Sequence, residues 1–230
     1  MMKDDVAVKN LMDHKYWVFD LDNTLYPHGT NLFTQVDRKM GEYIQNLFDI
    51  PYDDAKKMQK SFFQEHGTTL RGLMTLHDVE PHDYLHYVHD IDFSVLDIDH
   101  ALNEALEKLP GEKYIYTNAS ADYAGNVLSE IGLDGFFKDI FDIHDAEFLP
   151  KPHKTSYHKM LDKFQIDPEH SIMVEDIAIN LKPAAELGMS TVWVKTDVHW
   201  SDTGKEYTRI DHVTPDLSTW LTDVTKNGNA

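Results

Sequence analysis

Four places in the chain gather side chains that can do chemistry together. Asp20 and Asp22 stand two residues apart, directly after the apolar run Tyr16-Trp17-Val18-Phe19. Thr117 and Asn118 follow Lys113 to Tyr116, Lys151 sits between Pro150 and Pro152, and Glu175-Asp176 follows Ser171 to Val174. Together these are carboxylates, a hydroxyl, an amide and one ammonium, a mixture that suits a hard divalent cation with an anionic substrate. Oxygen donors without cysteine favour Mg²⁺, which commonly bridges carboxylates and phosphate oxygens. In extended backbone, residues two apart share a side, so Asp20 is placed to attack while Asp22 handles a proton beside it. Each element also has a plain structural use. An aspartate pair can end a strand, Thr117-Asn118 or Asp176 can cap a helix, and Lys151 can sit in a solvated loop. Their joint occurrence at successive strand ends favours the chemical reading, because ligands of open parallel sheets bind beyond the carboxyl ends of the strands.

The elements that must position these groups are legible from periodicity. Short apolar runs at Tyr16–Phe19, Lys113–Tyr116, Ile140–Ile143, Ser171–Val174 and Thr191–Val194 read as buried strands, with a last one near His212-Val213. Between them, Ala101–Leu109, Ala121–Ile131, Thr155–Phe164 and Leu181–Leu187 read as helices, stopped at Pro110-Gly111, Gly132 and Gly188 where the chain marks an end. A further helix is expected at Leu217–Val224, and Lys226–Ala230 reads as a frayed end. This alternation predicts an α/β fold, a three-layer Rossmann-like parallel sheet. The stretch after the first strand differs. Leu32, Val36, Met40, Ile44 and Leu47 recur at helical spacing, a second helical stretch runs from about Asp53 to Glu65, Gly67-Thr68-Thr69 reads as a loop, and Pro81–His89 reads as a short helix. Nothing from Leu32 to His89 reads as a strand. Residues 31–98 are therefore expected to form an inserted all-helical cap domain, and residues 1–30 with 99–230 the α/β core.

Composition narrows the partners. The chain has 230 residues, with 21 Lys+Arg against 40 Asp+Glu and a formal net charge of −19. Such a chain repels nucleic-acid backbones and anionic membranes, so a phosphate-bearing partner must meet a local pocket of positive charge. With no cysteine, disulfides, thiolate nucleophiles and cysteine zinc sites are excluded. No apolar run approaches the ~18 residues that span a bilayer, and Met1-Met2-Lys3-Asp4-Asp5 lacks a signal peptide's apolar stretch, so a soluble cytoplasmic protein is expected. Both monomer and homodimer stay open. His82, His86 and His89 at helical intervals read as a solvated face. Asp90-x-Asp92-x-Ser94 lacks the glycine and glutamate that a calcium loop needs, and no glycine-rich phosphate loop is present.

The four motifs carry a resemblance. Asp20-Leu21-Asp22-Asn23-Thr24 resembles the DxDxT first motif of the haloacid dehalogenase-like (HAD) phosphohydrolases. Thr117 is similar to the second motif, Lys151 in Leu149-Pro150-Lys151-Pro152 to the third, and Glu175-Asp176 to the acidic fourth. Within that superfamily, Leu25-Tyr26, Gly67 to Leu73 and Thr117-Asn118-Ala119 resemble the pyrimidine 5′-nucleotidase branch.

The resemblance implies a Mg²⁺-dependent phosphomonoester hydrolase acting through an aspartyl-phosphate. Asp20 would be the nucleophile and Asp22 the general acid and base. Thr117 and Lys151 would hold the phosphoryl group, while Thr24 and Asn118 serve as positioning groups. The metal would be held by Asp20, the carbonyl of Asp22 and Asp176, with Glu175 as an accessory acid and Asn180 supporting that loop. A small phosphorylated metabolite, first a nucleoside monophosphate such as UMP or CMP, would be the substrate. Arg71 in the cap is the candidate specificity contact, with a plain surface arginine as the alternative; Tyr26 and Phe63 are candidates to flank a base, although aromatics at helical spacing more often pack in a core. Phosphoglycolate, a sugar phosphate or phosphoglucomutase-like chemistry would keep the same metal site. Haloacid dehalogenation is disfavoured by Asp22 and Asp176, and a non-catalytic binding role by the intact set of acidic groups.

Overall fold

The computed structural model describes residues 11–198 and 200–227. Six strands, β1 (Tyr16–Phe19), β2 (Glu112–Tyr116), β3 (Asp139–Phe141), β4 (Ser171–Glu175), β5 (Ser190–Val194) and β6 (His212–Thr214), form one sheet in the order β3-β2-β1-β4-β5-β6. Every neighbouring pair is parallel. Parallel strands need crossovers, and the helices that supply them cover both faces. Period-two alternation decides which side chain goes where. Trp17 and Phe19 of β1 pack on one face with Ile115, Ile172, Val174 and Val192, beneath α5 (His100–Lys108), α6 (Ala121–Glu130) and α9 (Leu217–Asn227). Val18 points to the other face with Tyr114, Tyr116, Met173 and Trp193, beneath α7 (Lys154–Phe164) and α8 (Ala178–Leu187). The strands are apolar on both faces because both faces are buried.

Register sets the level of the strand ends. Phe19 pairs with Ile115 on one side and with Val174 on the other. Asp20 therefore lies level with Tyr116 and Glu175 before any side chain is considered, with Thr117 and Asp176 one step beyond. Gly111, at φ 81°, lets the chain turn into β2 where a Cβ would lie 2.4 Å from the carbonyl oxygen of Lys15.

Between β1 and α5 the chain forms α1 (Leu32–Phe48), α2 (Tyr52–His66), α3 (Thr69–His77) and α4 (Pro81–Val88). Helix α1 packs on α2 and α4, and α2 on α3, around Ile44, Phe62, Leu73, Tyr84 and Val88. This is the inserted helical cap, and it contains one helix more than periodicity foretells. The loop expected at residues 67–69 is only two residues long, and α3 begins at Thr69. Its first turn is capped by the Thr68 hydroxyl, which accepts the Arg71 amide at 3.1 Å. Gly72 inside α3 hides the helix from propensity arguments. It is there because a Cβ would lie 2.6 Å from the Phe62 side chain, so that ring of α2 packs directly on the bare backbone of α3.

The cap meets the core at several points. His82 stacks on His144 with centroids 5.0 Å apart, and the His89 ring bonds Ser120 Oγ at 3.1 Å, while within the cap Gln35 of α1 exchanges bonds of 2.9 and 3.1 Å with the backbone of Asp92. Gly67 stands over the third-motif loop, its missing Cβ 3.6 Å from Pro150 and 3.8 Å from the Lys151 carbonyl. Helix α9 extends to Asn227, so the frayed end expected there falls on residues 228–230, outside the described residues, as does the Met1–Asp5 segment. No helix among the described residues is long and apolar enough to cross a membrane.

Candidate active site

The residues just past β1, β2 and β4, with the loop after β3, converge around one ammonium. Lys151 Nζ donates to Asp20 Oδ1 at 2.6 Å, to Glu175 Oε2 at 2.6 Å and to the Tyr116 carbonyl at 2.9 Å. An ammonium has three donors, and all three are used. The side chain is 2% exposed, so these bonds are not shared with water. Its backbone is fixed as well, because the Lys151 amide donates to Asn118 Oδ1 at 2.8 Å. Thr24 Oγ1 donates to Asp20 Oδ2 at 3.0 Å, so both oxygens of the aspartate are oriented. Glu175 Oε1 accepts the Ile177 amide and Asn180 Nδ2, each at 3.1 Å. With both oxygens engaged, Glu175 is a support for Lys151 more than a free ligand.

Asp176 is different. Its Oδ2 is buried and has no hydrogen-bond partner among the described residues. Its backbone is clamped, the carbonyl accepting Trp193 Nε1 at 2.9 Å and Ser201 Oγ at 2.5 Å. Carboxylate oxygens of Asp20, Glu175 and Asp176 lie within 4.8 Å of one another, and all three residues are buried. An orphaned buried carboxylate oxygen costs at least about 1–3 kcal/mol, so such an atom is kept for a partner that arrives later.

The electrostatics agree. Burial first, then the Glu175 charge, push the Asp20 carboxyl up to about 7 despite Lys151. Burial, Glu175 and Asp20 hold Asp176 well above the ordinary carboxylate range. Burial alone would lower the Lys151 ammonium, but Asp20 and Glu175 outweigh it and hold Lys151 above its ordinary value. The site is short of positive charge. A hard divalent cation coordinated by Asp20 and Asp176 fits this donor set.

Asp22 departs from the extended geometry expected of it. After Asp20 the chain enters a helical turn, with the Leu25 amide on the Leu21 carbonyl at 3.0 Å and Asn23 at φ 58°. The Asp22 carboxylate therefore does not line up behind Asp20 by strand alternation. Its Oδ1 instead accepts Tyr26 Oη and, at 2.7 Å, Tyr123 Oη. Burial raises the Asp22 carboxyl, and the two phenols oppose that rise. The hydroxyl of Tyr26, expected beside a base, is spent on Asp22.

Thr117 is buried, and its Oγ1 accepts the Ala119 amide at 3.0 Å; the cap of α6 is Ser120, not Thr117 or Asn118. Arg71 lies half-exposed in the first turn of α3, outside the carboxylate cluster, and Phe63 is 38% exposed on α2. His82 and His86 are exposed as a solvated face would be, whereas His89 turns to the core. Its ring stacks on Tyr123 at 4.3 Å, and burial holds its imidazole down to about 4. Tyr123 and the Tyr116 carbonyl were not foreseen. A tyrosine three residues after a serine cap reads as a core aromatic, and no side-chain letter marks a carbonyl.

A parallel sheet of this order with a helical insertion and an acidic strand-end cluster defines a Rossmann-like α/β protein with a cap, and the chain belongs to the haloacid dehalogenase-like hydrolase family, which matches residues 14–188. Among its relatives is a glyceraldehyde 3-phosphate phosphatase of Pyrococcus furiosus, 28% identical over 195 residues, covering 77% of this chain and 79% of the relative. Phosphate metabolism protein 8 of Saccharomyces cerevisiae is 24% identical over 196 residues, covering 77% of this chain but only 60% of the yeast protein. Among solved structures, the HAD-hydrolase YfnB of Bacillus subtilis, crystallised with magnesium, superposes with a TM-score of 0.61 at 18% identity, covering 92% of this chain and 98% of that one. That last likeness is one of fold.

Proposed function

We propose that this chain is a Mg²⁺-dependent phosphomonoesterase that works through a phosphoryl-aspartate on Asp20. The observation that carries the reading is the cation-poor cluster in which Lys151 bridges Asp20 and Glu175 while a buried oxygen of Asp176 has no partner among the described residues. Asp20, the Asp22 carbonyl and Asp176 would hold Mg²⁺, which supplies positive charge against the phosphoryl oxygens.

In the first step a carboxylate oxygen of Asp20 attacks phosphorus in line, and the bond from phosphorus to the ester oxygen breaks. Asp22 gives its proton to the departing alcohol. In the second step Asp22 takes a proton from water, the water oxygen bonds to phosphorus, and the bond to Asp20 breaks to free phosphate. One carboxyl group serves as acid and then as base. Thr117 would hold the phosphoryl group, joined by Lys151 once substrate draws one of its three engaged donors away from its present partner; Asn118 holds the Lys151 backbone, and Thr24 aims Asp20. Phosphoryl transfer rests on positioning and charge stabilisation, which is what these contacts provide. The cap, residues 31–98 with the core at 1–30 and 99–230, covers the site, and Arg71 is its candidate contact to the leaving group.

For the substrate, pyrimidine nucleoside monophosphates come first, on the resemblance of Leu25-Tyr26, Gly67 to Leu73 and Thr117-Asn118-Ala119 to that branch. The Pyrococcus furiosus relative, named for glyceraldehyde 3-phosphate, favours a second reading, a triose or other sugar phosphate. Phosphate release from UMP, CMP, purine nucleotides, glyceraldehyde 3-phosphate, sugar phosphates and phosphoglycolate separates them. UMP and CMP are expected to be hydrolysed fastest; equal turnover of the panel removes the nucleotidase reading. An Asp20→Asn protein with intact Mg²⁺-dependent turnover removes the phosphatase mechanism altogether.

A further inference from the structure

We propose that Tyr26 and Tyr123 are positioning residues that aim Asp22 at the leaving-group oxygen. This rests on the reading of Asp22 as general acid. Both phenols donate to the same atom, Asp22 Oδ1, from segments 97 residues apart in sequence: Tyr26 from the turn after β1, Tyr123 from the first turn of α6. Their hydroxyls are 3.5 Å apart, and the residues are 3% and 2% exposed. Phenylalanine would fill either position as well for packing alone, so the paired hydroxyls need another reason.

Hydrogen bonds are directional, and Oδ1 accepts them whether or not Oδ2 carries a proton. Two of them on one oxygen fix both torsions of a short side chain that otherwise rotates freely. Among the described residues, Oδ2 of Asp22 takes no hydrogen bond, so it is the oxygen left to carry the proton to substrate. The phenols are not acids themselves. A phenol's ordinary pKa of about 10 leaves both hydroxyls as donors at neutral pH.

The seat of Tyr123 is built by the segment that returns from the cap. His89 stacks on its ring at 4.3 Å and 26°, and Phe93 lies against it at 5.7 Å. His89 is itself tied to Ser120 Oγ at 3.1 Å. Cap placement and the aim of the acid thus share one aromatic ring.

The test reads kcat/KM, which reports steps up to phosphoryl transfer, for two esters of similar size. Phenyl phosphate has a poor leaving group, a phenol of pKa about 10, and needs the acid; 4-nitrophenyl phosphate has a good one and needs it little. Tyr26→Phe and Tyr123→Phe keep the rings. Each is expected to lose roughly tenfold on phenyl phosphate and less than about threefold on 4-nitrophenyl phosphate, and the double variant up to about 10²-fold on the former, the scale of a misplaced catalytic group. Asp22→Asn run alongside should show the same selectivity more strongly. Equal losses on both esters, or none, while Asp22→Asn keeps the selectivity, overturn the positioning role alone. Loss of selectivity in Asp22→Asn overturns the general-acid reading on which it rests.

Discussion

Replacing Lys151 with methionine removes the one ammonium shared by Asp20 and Glu175 and keeps most of its length. Nζ stands 2.6 Å from an oxygen of each carboxylate in a side chain 2% exposed, so no solvent cation takes its place. Removing one partner of a buried ion pair costs about 3–5 kcal/mol, because the remaining charge is stranded. For a chain of this size 1 kcal/mol moves the melting temperature by about 2–4 °C, so a fall of about 6–20 °C is expected in EDTA at pH 8. Lower pH narrows the gap, since a proton on Asp20 then replaces the lost charge. Mg²⁺ narrows it too. A ligand at a hundred times its Kd stabilises by about 2.7 kcal/mol, and the variant has more unbalanced carboxylate for the ion to neutralise. Scanning fluorimetry of both proteins, with EDTA and with saturating Mg²⁺, reads all of this, alongside the loss of phosphatase turnover. A variant that melts within about 2 °C of wild type in EDTA at pH 8 refutes the reasoning, because the stranded charges would then have to be solvated or already neutral.

Three further outcomes follow from the same contacts. Because burial and Glu175 raise Asp20 from 3.8 to about 7, the folded chain holds that proton more tightly than the unfolded one; its stabilising effect is full below pH 3.8 and is lost as pH rises toward 7. His89, held down to about 4, works in the opposite sense below its ordinary 6.5. Urea unfolding in EDTA at pH 5 and pH 8 should therefore show wild type losing stability relative to Asp20→Asn as pH rises, and the reverse trend would contradict the assignment. Asn180→Ala strips a 3.1 Å bond from Glu175, and outer partners of a metal site are worth about 10–100-fold in metal affinity or activity, so Mg²⁺ activation curves should move by that factor. Gly111→Ala places a Cβ 2.4 Å from the Lys15 carbonyl at φ 81° and should lower stability by at least about 1–3 kcal/mol in chemical denaturation, with KM for a phosphate ester unchanged.

Much of the fold was legible in the sequence because burial on both faces writes itself as short apolar runs, and Gly188 and Gly132 mark helix ends where backbone must turn. Helix α3 was not, since Gly72 answers to Phe62 on a neighbouring helix and not to its own segment. The strand-end residues were legible as a set, because register alone brings Asp20, Tyr116 and Glu175 to one level. What periodicity mis-set was the direction of Asp22. The extended rule stops at Asp20, and the turn that follows hands the carboxylate to Tyr26 and to Tyr123, about a hundred residues away in the chain. The orphaned oxygen of Asp176 has no sequence signal either, as it depends on Glu175 taking the nearby donors.

The central claim is that Asp20 carries the phosphoryl group. Acid quenching of a working mixture with Mg²⁺ and its best phosphate ester, followed by peptide mass analysis, tests it most directly. One phosphoryl group on the peptide containing Asp20, absent in Asp20→Asn, is the expected result. Turnover at full rate with the phosphoryl group on another residue, or on none at any quench time, would contradict it.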